Sequence, residues 1–265
     1  MTEPSDVTQA GDVTEDGFLG GRLRLRQPKS GHRAGHDAIL LAAATAAREG
    51  DRVVDFGAGV GAAGLAVARR VAGIELVLVE IDRRLAELAR GNAVLNGLPA
   101  GVVVLDVESG PEQFAACGLP PDSADVVLMN PPFNDPARHR ASPDKARERA
   151  HVASATTLEN WIHAARRILK SGGILTLIWR ADALAGILAA LDRGFGSLRI
   201  LPVHGDAAPA IRVLVSAVKG GKAPSALYPG LMLNEAPAAE NSSAMPNRSA
   251  QEILAGLKTL PLAVR

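Results

Sequence analysis

The chain has 265 residues, 47% of them apolar, enough to bury a core of domain size. Lys and Arg number 29 against 28 Asp and Glu, a formal charge of +1, which excludes a surface that is a nucleic-acid footprint throughout and leaves room for a local basic patch. The one cysteine, Cys117, excludes an internal disulfide framework and a cysteine-based zinc site, and suits a reducing compartment.

In chain order, the first sixteen residues carry five acids (Glu3, Asp6, Asp12, Glu15, Asp16) and no base, the reverse of a secretory signal. They read as a disordered acidic tail over 1–17, ahead of a single domain over 18–235 and a second tail with a short helix over 236–265. No apolar run approaches the roughly 18 residues of a membrane span, so the expected address is the cytoplasm. Arg22-Leu23-Arg24-Leu25-Arg26 alternates strictly and predicts an exposed strand with one basic face. His32, His36 and Asp37 have the look of metal ligands, but Asp37 ahead of Ala38-Ile39-Leu40-Leu41 reads better as a helix N-cap, and no metal is expected.

From Arg52 to Val218, short runs rich in Val, Leu and Ile alternate with longer segments of helical period, the rhythm of a largely parallel sheet covered on both faces. The expected strands are Arg52 to Phe56, Glu75 to Glu80, Val102 to Asp106, Ala124 to Met129 and Ile174 to Trp179. The expected helices include Ala62 to Arg70, Arg83 to Asn96 and Leu158 to Lys170, with Asn96-Gly97 and Ser171-Gly172-Gly173 as helix stops followed by turns. Ser197 to Val203 and Ile211 to Val218 are separated by too short a loop for a crossover helix and should pair antiparallel. Beyond them, Lys219 to Pro246 is loop-like, and Ser249 with Glu252 opens a short helix by a capping-box pattern.

The first of these strands runs through Asp55 into Gly57-Ala58-Gly59-Val60-Gly61-Ala62-Ala63-Gly64, where the glycines let the backbone turn tightly and approach a ligand. Gly59, Gly61 and Gly64 also fit the dinucleotide fingerprint, so two cofactors stay open at this point. A dinucleotide would set its pyrophosphate on the helix N-terminus, whereas S-adenosylmethionine has no phosphate and carries a positive sulfonium beside an amino acid moiety. The acid at the strand end favours the second, with Asp55 holding the amino acid end, partly through water. Glu80, with Ile81 beside it, ends the next strand where a ribose-binding acid is expected. Asp106 is placed to accept from an adenine amine, with the Val107 amide facing a ring nitrogen. Each acid alone also reads as a cap, a turn residue or a solvated loop acid; it is the placement of three at successive strand ends that points to one crevice.

The fourth strand ends in Asn130-Pro131-Pro132-Phe133. Two prolines fix φ and remove two donors, leaving a stiff turn that presents carbonyl oxygens. If the Asn130 side-chain oxygen and the Pro131 carbonyl each accept one hydrogen of a planar NH2 group, its lone pair is localised and aimed at an activated methyl. Phe133 offers a flat face on which a base can stack. Asn130 thereby joins Asp55, Gly57, Gly59 and Gly61 among the candidate cofactor contacts.

On these residues the chain resembles the amino-group methyltransferases with an N-P-P-[FY] turn, and among them the bacterial tRNA adenine N6-methyltransferases that modify the adenine beside the valine tRNA anticodon. Ser30 to Leu41 and Arg212 to Gly220 carry the narrower likeness, which spans roughly 18 to 235. The resemblance implies a class I S-adenosylmethionine-dependent (Rossmann-like) α/β fold. Its sheet is mainly parallel and seven-stranded, with an antiparallel C-terminal strand pair and helices on both faces. It also implies methyl transfer to an exocyclic amine, with tRNA as partner. Arg33, Arg138, Arg140, Lys145, Arg147 and Arg149 are the candidate RNA contacts, provided that the basic segments before the fold and after the turn share the cleft mouth. The alternatives are a release-factor-type glutamine N5-methyltransferase, an rRNA guanine N2-methyltransferase, a nicotinamide oxidoreductase and a non-catalytic RNA-binding module. Only 51 residues precede Arg52, little room for the helical substrate domain of the first.

Overall fold

A computed structural model describes residues 12–30, 33–132, 143–206, 208–234 and 247–265, and the side chains of 143–155 lie outside that description. The chain opens with a hairpin, β1 (Val13–Phe18) and β2 (Leu23–Pro28), followed by helix α1 (His36–Ala44). Then come β3 (Arg52–Phe56), α2 (Ala62–Arg70), β4 (Glu75–Glu80), α3 (Arg83–Leu95), β5 (Ala100–Val104), α4 (Pro111–Ala116) and β6 (Ala124–Met129). The second half holds α5 (Pro143–Ile168), β7 (Leu169–Arg180), α6 (Leu184–Leu191), β8 (Phe195–His204) and β9 (Arg212–Lys219). Two short strands, β10 (Ala226–Leu227) and β11 (Leu231–Met232), and helix α7 (Arg248–Leu254) close it.

The sheet runs β5-β4-β3-β6-β7-β9-β8, all parallel except β9, which is antiparallel to both its neighbours. The expected seven strands are therefore present with the expected antiparallel pairing, and β10 and β11 add two residues each along β8. Both faces of the sheet are covered, as the alternation of its side chains requires. Val53, Leu76, Leu78, Val126 and Leu128 face a core shared with α1, α2, α3, the hairpin and the C-terminal segment. Val54, Phe56, Val77, Val79, Val127 and Met129 face a second core under α4, α5 and α6. Among the described residues no helix is long and apolar enough to cross a membrane.

Several sequence expectations are corrected. Of the segment read as an acidic tail over 1–17, residues 1–11 lie outside the described residues, while 13–17 belong to β1, where Glu15 and Asp16 are paired. Glu15 bonds Arg24 and Arg26, and Asp16 bonds Arg33 at 2.7 Å. Leu23 and Leu25 point inward while Arg24 and Arg26 stay exposed, so the alternation was read correctly, and the one carboxylate of Glu15, shared by the two arginines, offsets part of its basic face. Helix α5 ends at Ile168, and Ser171-Gly172-Gly173 lies inside β7 as an irregularity opposite Ala124 and Val126. There Gly172 has φ 78° and Gly173 leaves no space for a Cβ against the Lys170 and Asp125 carbonyls. Strand β5 ends at Val104, two residues before Asp106. Gly35, not Asp37, is the N-cap of α1, and Asn247, not Ser249, caps α7 through bonds from the Ser249 and Ala250 amides. The segment read as a tail over 236–265 contributes Ile253, Leu260 and Leu262 to the core and is tied to α1 by the bond from the Leu260 amide to the Ala43 carbonyl.

Candidate functional site

Strands β3 and β6 are parallel neighbours in register, with Phe56 opposite Met129, so Gly57 and Asn130 leave the sheet side by side. From β3 the chain continues to β4 on one side, while β6 lies on the other. The carboxyl ends of β3 and β6 thus bound a switch-point crevice, the place where open α/β sheets take ligands.

Between β3 and α2 the chain makes a compact turn, with Gly57, Gly59 and Gly61 at φ 66°, 57° and 88°. It is closed by bonds from the Ala58 amide to the Val79 carbonyl at 3.0 Å and from the Gly61 amide to the Ala58 carbonyl at 2.8 Å. Two glycines are required by contact, Gly57 by its dihedral as well. A Cβ on Gly57 would stand 2.4 Å from Trp161 Cη2, and one on Gly64 would stand 2.6 Å from Leu78 Cδ2 and 3.0 Å from Asp55 Oδ2. At Gly59 such an atom would meet nothing within 4 Å.

Asp55 is buried, and its Oδ2 accepts the Gly64 amide at 2.8 Å. Burial pushes its carboxyl up to about 7; the Gly64 bond opposes this and the Glu80 charge adds to it. Glu80 is also buried. Its Oε2 accepts the Gly59 amide at 2.7 Å and its Oε1 the Asp82 amide at 2.9 Å. Each Glu80 oxygen therefore already braces a backbone group and offers one remaining lone pair, a narrower capacity than two free oxygens. Ile81, the next residue, is 62% exposed, an apolar surface presented to solvent beside the acid. Asp106 is exposed in the turn beyond β5, where its Oδ1 accepts the Glu108 amide, and Val107 is buried.

A cavity of about 290 Å³ opens at this crevice. Asp55, Gly57, Gly59 and Asn130 line it together, so four of the predicted cofactor and catalytic residues meet around one space. Glu80 adjoins it through its bond to Gly59, whereas Ile81, Asp106 and Val107 are outside its lining. Asn130 is half-buried, Pro131 buried and Pro132 exposed. Phe133, Arg138 and Arg140 lie outside the described residues. Lys145, Arg147 and Arg149 fall on α5 where side chains are not described.

The opposite wall, Arg33 to Ala38 with Leu41, was not foreseen as part of the site, apart from Arg33. Arg33 is held by Asp16, by Thr14 Oγ1 at 3.0 Å and by the Pro28 carbonyl at 2.8 Å. Asp37 pairs with Arg212 Nε at 3.0 Å across 175 residues of sequence, a contact without a local signal. Trp161, which buttresses the glycine turn, was legible only as one of the apolar positions of α5. Among the described residues no group of three or more His, Cys, Asp or Glu is placed to hold a metal.

Comparison with known proteins adds four findings. The family model described as "Methyltransferase small domain" matches residues 36–205. A tRNA1(Val) (adenine(37)-N6)-methyltransferase of Flavobacterium psychrophilum is 29% identical over 158 residues, 59% of this chain and 65% of that protein's length. One of the same name from Erwinia tasmaniensis is 27% identical over 204 residues, covering 76% of this chain and 81% of the relative. The crystal structure of a predicted O-methyltransferase from Agrobacterium tumefaciens superposes with a TM-score of 0.68 at 31% identity, over 84% of this chain and 98% of that one.

Proposed function

The chain belongs to the methyltransferase small domain family, and on that premise we propose that it methylates the exocyclic N6 of an adenine in tRNA, using S-adenosylmethionine. The observation that carries this reading is the shared cavity of Asp55, the glycine turn and Asn130. The donor set fits that cofactor better than a dinucleotide. Two buried acids, Asp55 and Glu80, brace the turn, and they would repel a pyrophosphate while favouring a cationic amino group and hydroxyl donors. When bound, the cofactor supplies a methyl on a positively charged sulfur. Asp55 takes the amino end, the open space at Gly59 admits close approach, and Glu80 accepts from the ribose.

Asn130 Oδ1 and the Pro131 carbonyl each accept one hydrogen of the substrate NH2 group. This draws the nitrogen lone pair out of the ring and stabilises the positive charge that grows there during transfer. With the cofactor bound, the new N–C bond would form at the expense of its C–S bond, leaving a neutral thioether, and the extra proton on nitrogen would pass to water. No strong base is needed, because the cationic nitrogen formed on alkylating an aromatic amine is strongly acidic. Holding two reactants in line contributes several kcal/mol, on the order of the entropy of bringing them together. An adenine in a tRNA loop is splayed out more cheaply than one in a duplex. Such a substrate sets the reaction in the cytoplasm.

The names of the Flavobacterium and Erwinia relatives support the tRNA reading, and the Agrobacterium protein's name supplies the rival, an oxygen acceptor. Incubation with labelled S-adenosylmethionine and, in parallel, total tRNA, rRNA and release-factor protein, followed by nucleoside and peptide mass spectrometry, separates them. N6-methyladenosine is expected. A ribose-methylated nucleoside, N2-methylguanosine from rRNA or label on a protein glutamine would each move the assignment to that acceptor.

A further inference from the structure

The glycine turn is tied to the N-terminal hairpin by a side chain that the reaction itself does not use. Asn92 and Asn96 stand one helical turn apart at the end of α3, on one face of the helix. Facing them is the free edge of β2, where Arg26 and Arg24 pair with Glu15 and Gly17 of β1. Each asparagine closes a two-bond ring with one of these residues. The Arg26 amide donates to Asn92 Oδ1 at 2.7 Å, and Asn92 Nδ2 donates to the Arg26 carbonyl at 3.0 Å. The Arg24 amide donates to Asn96 Oδ1 at 2.9 Å, and Asn96 Nδ2 donates to the Arg24 carbonyl at 2.7 Å. The two amides therefore complete the sheet edge much as another strand would.

Asn92 does one thing that Asn96 does not. Its second amide hydrogen goes to the carbonyl of Val60 at 2.9 Å, inside the glycine turn, and the residue is completely buried. The hairpin in turn holds the other wall of the cavity, since Gln27 Oε1 accepts the Ala34 amide at 2.8 Å and the Pro28 carbonyl accepts from Arg33. One buried carboxamide thus spans from the turn that approaches the cofactor to the strand that carries the opposite wall.

We propose that Asn92 is a positioning residue that sets the separation of the two cavity walls by joining Val60 to Arg26, whereas Asn96 only fastens the hairpin. The proposal rests on the methyltransferase reading for its ligand and on geometry alone for its structural part. Asn92→Ala leaves the Val60 carbonyl and both Arg26 backbone groups without these partners, in a buried place where such groups are costly. Asn96→Ala releases Arg24, at a half-buried site, and leaves the turn tied.

The test compares the two variants by hydrogen exchange of the backbone amides of 57–61 and by calorimetry with S-adenosylhomocysteine. Asn92→Ala is expected to speed exchange in the turn and to weaken binding, each by about tenfold, while Asn96→Ala changes both by less than about twofold at a matching loss of hairpin protection. Asn92→Asp serves if the alanine variant does not fold. It keeps the size and the acceptor for the Arg26 amide but as a carboxylate cannot donate to Val60 or to the Arg26 carbonyl, and it should reproduce both effects. If the Asn92 variants behave as Asn96→Ala does, the proposal is overturned. The exchange measurement needs no ligand, so a wild-type protein that does not bind S-adenosylhomocysteine sinks the methyltransferase reading and still leaves the comparison to decide this one.

Discussion

Replacing Asp55 by asparagine removes the charge of one buried group and little else, because the amide oxygen can still accept the Gly64 N–H that the carboxylate accepts at 2.8 Å. In the wild type, burial, reinforced by the Glu80 charge and opposed by the Gly64 bond, moves the Asp55 carboxyl from 3.8 up to about 7. Between about pH 4 and about pH 7 the folded protein keeps a proton on Asp55 that the unfolded chain has released. The stability from this group is therefore fully present below the unfolded value and is lost as pH rises through the folded one. With these end points the integrated loss between about pH 5 and about pH 7 is on the order of 2 kcal/mol, and it levels off above. Since the other titrating groups are common to both proteins, the difference in unfolding free energy isolates Asp55. Urea unfolding followed by circular dichroism across this range should show Asp55→Asn gaining about 2 kcal/mol on the wild type. Parallel pH profiles would refute the reasoning, since they would mean that Asp55 is ionised at its ordinary value in the folded state. The same variant should bind S-adenosylhomocysteine more weakly, having lost the charge that faces its amino group.

Two further substitutions probe the site. Asn130→Ala should reduce methyl transfer at least about a hundredfold, the scale for loss of a preorganised polar group at a reacting centre, with cofactor affinity near normal by calorimetry; surviving activity would remove Asn130 from its role. Gly57→Ala forces a left-handed φ on a side chain and drives its Cβ to 2.4 Å from Trp161. Strain and overpacking together should destabilise by about 3 kcal/mol in urea unfolding, and Trp161→Phe in the same chain should restore part of it; simple additivity of the two changes would argue against the contact.

How much of this could be read from the residues depended on the range of the forces involved. Strands β3, β4 and β6 and helix α2 were legible to the residue because their apolar runs and glycine boundaries are local signals. The convergence of Asp55, the glycine turn and Asn130 followed from strand order, which the alternation of strands and helices sets. What failed was non-local. Asp12 to Asp16 reads as a solvated charge run until Arg24, Arg26 and Arg33 are brought beside it. Ser171-Gly172-Gly173 reads as a turn until Asp125 on the neighbouring strand accommodates the irregularity. Asn92 and Asn96 read as ordinary residues near a helix end, and only the hairpin opposite them reveals what their amides satisfy.

The pairing of the hairpin arginines with Glu15 and Asp16 also bears on how any polyanion would meet this face. Arg24 and Arg26 share Glu15 while Arg33 has Asp16, so three guanidiniums stand against two carboxylates and a phosphate arriving there meets about one net positive charge rather than three. A binding isotherm dominated by this face would therefore shift less as potassium chloride is raised than its arginine content alone implies. A steep dependence would locate the phosphate contacts on some other part of the molecule.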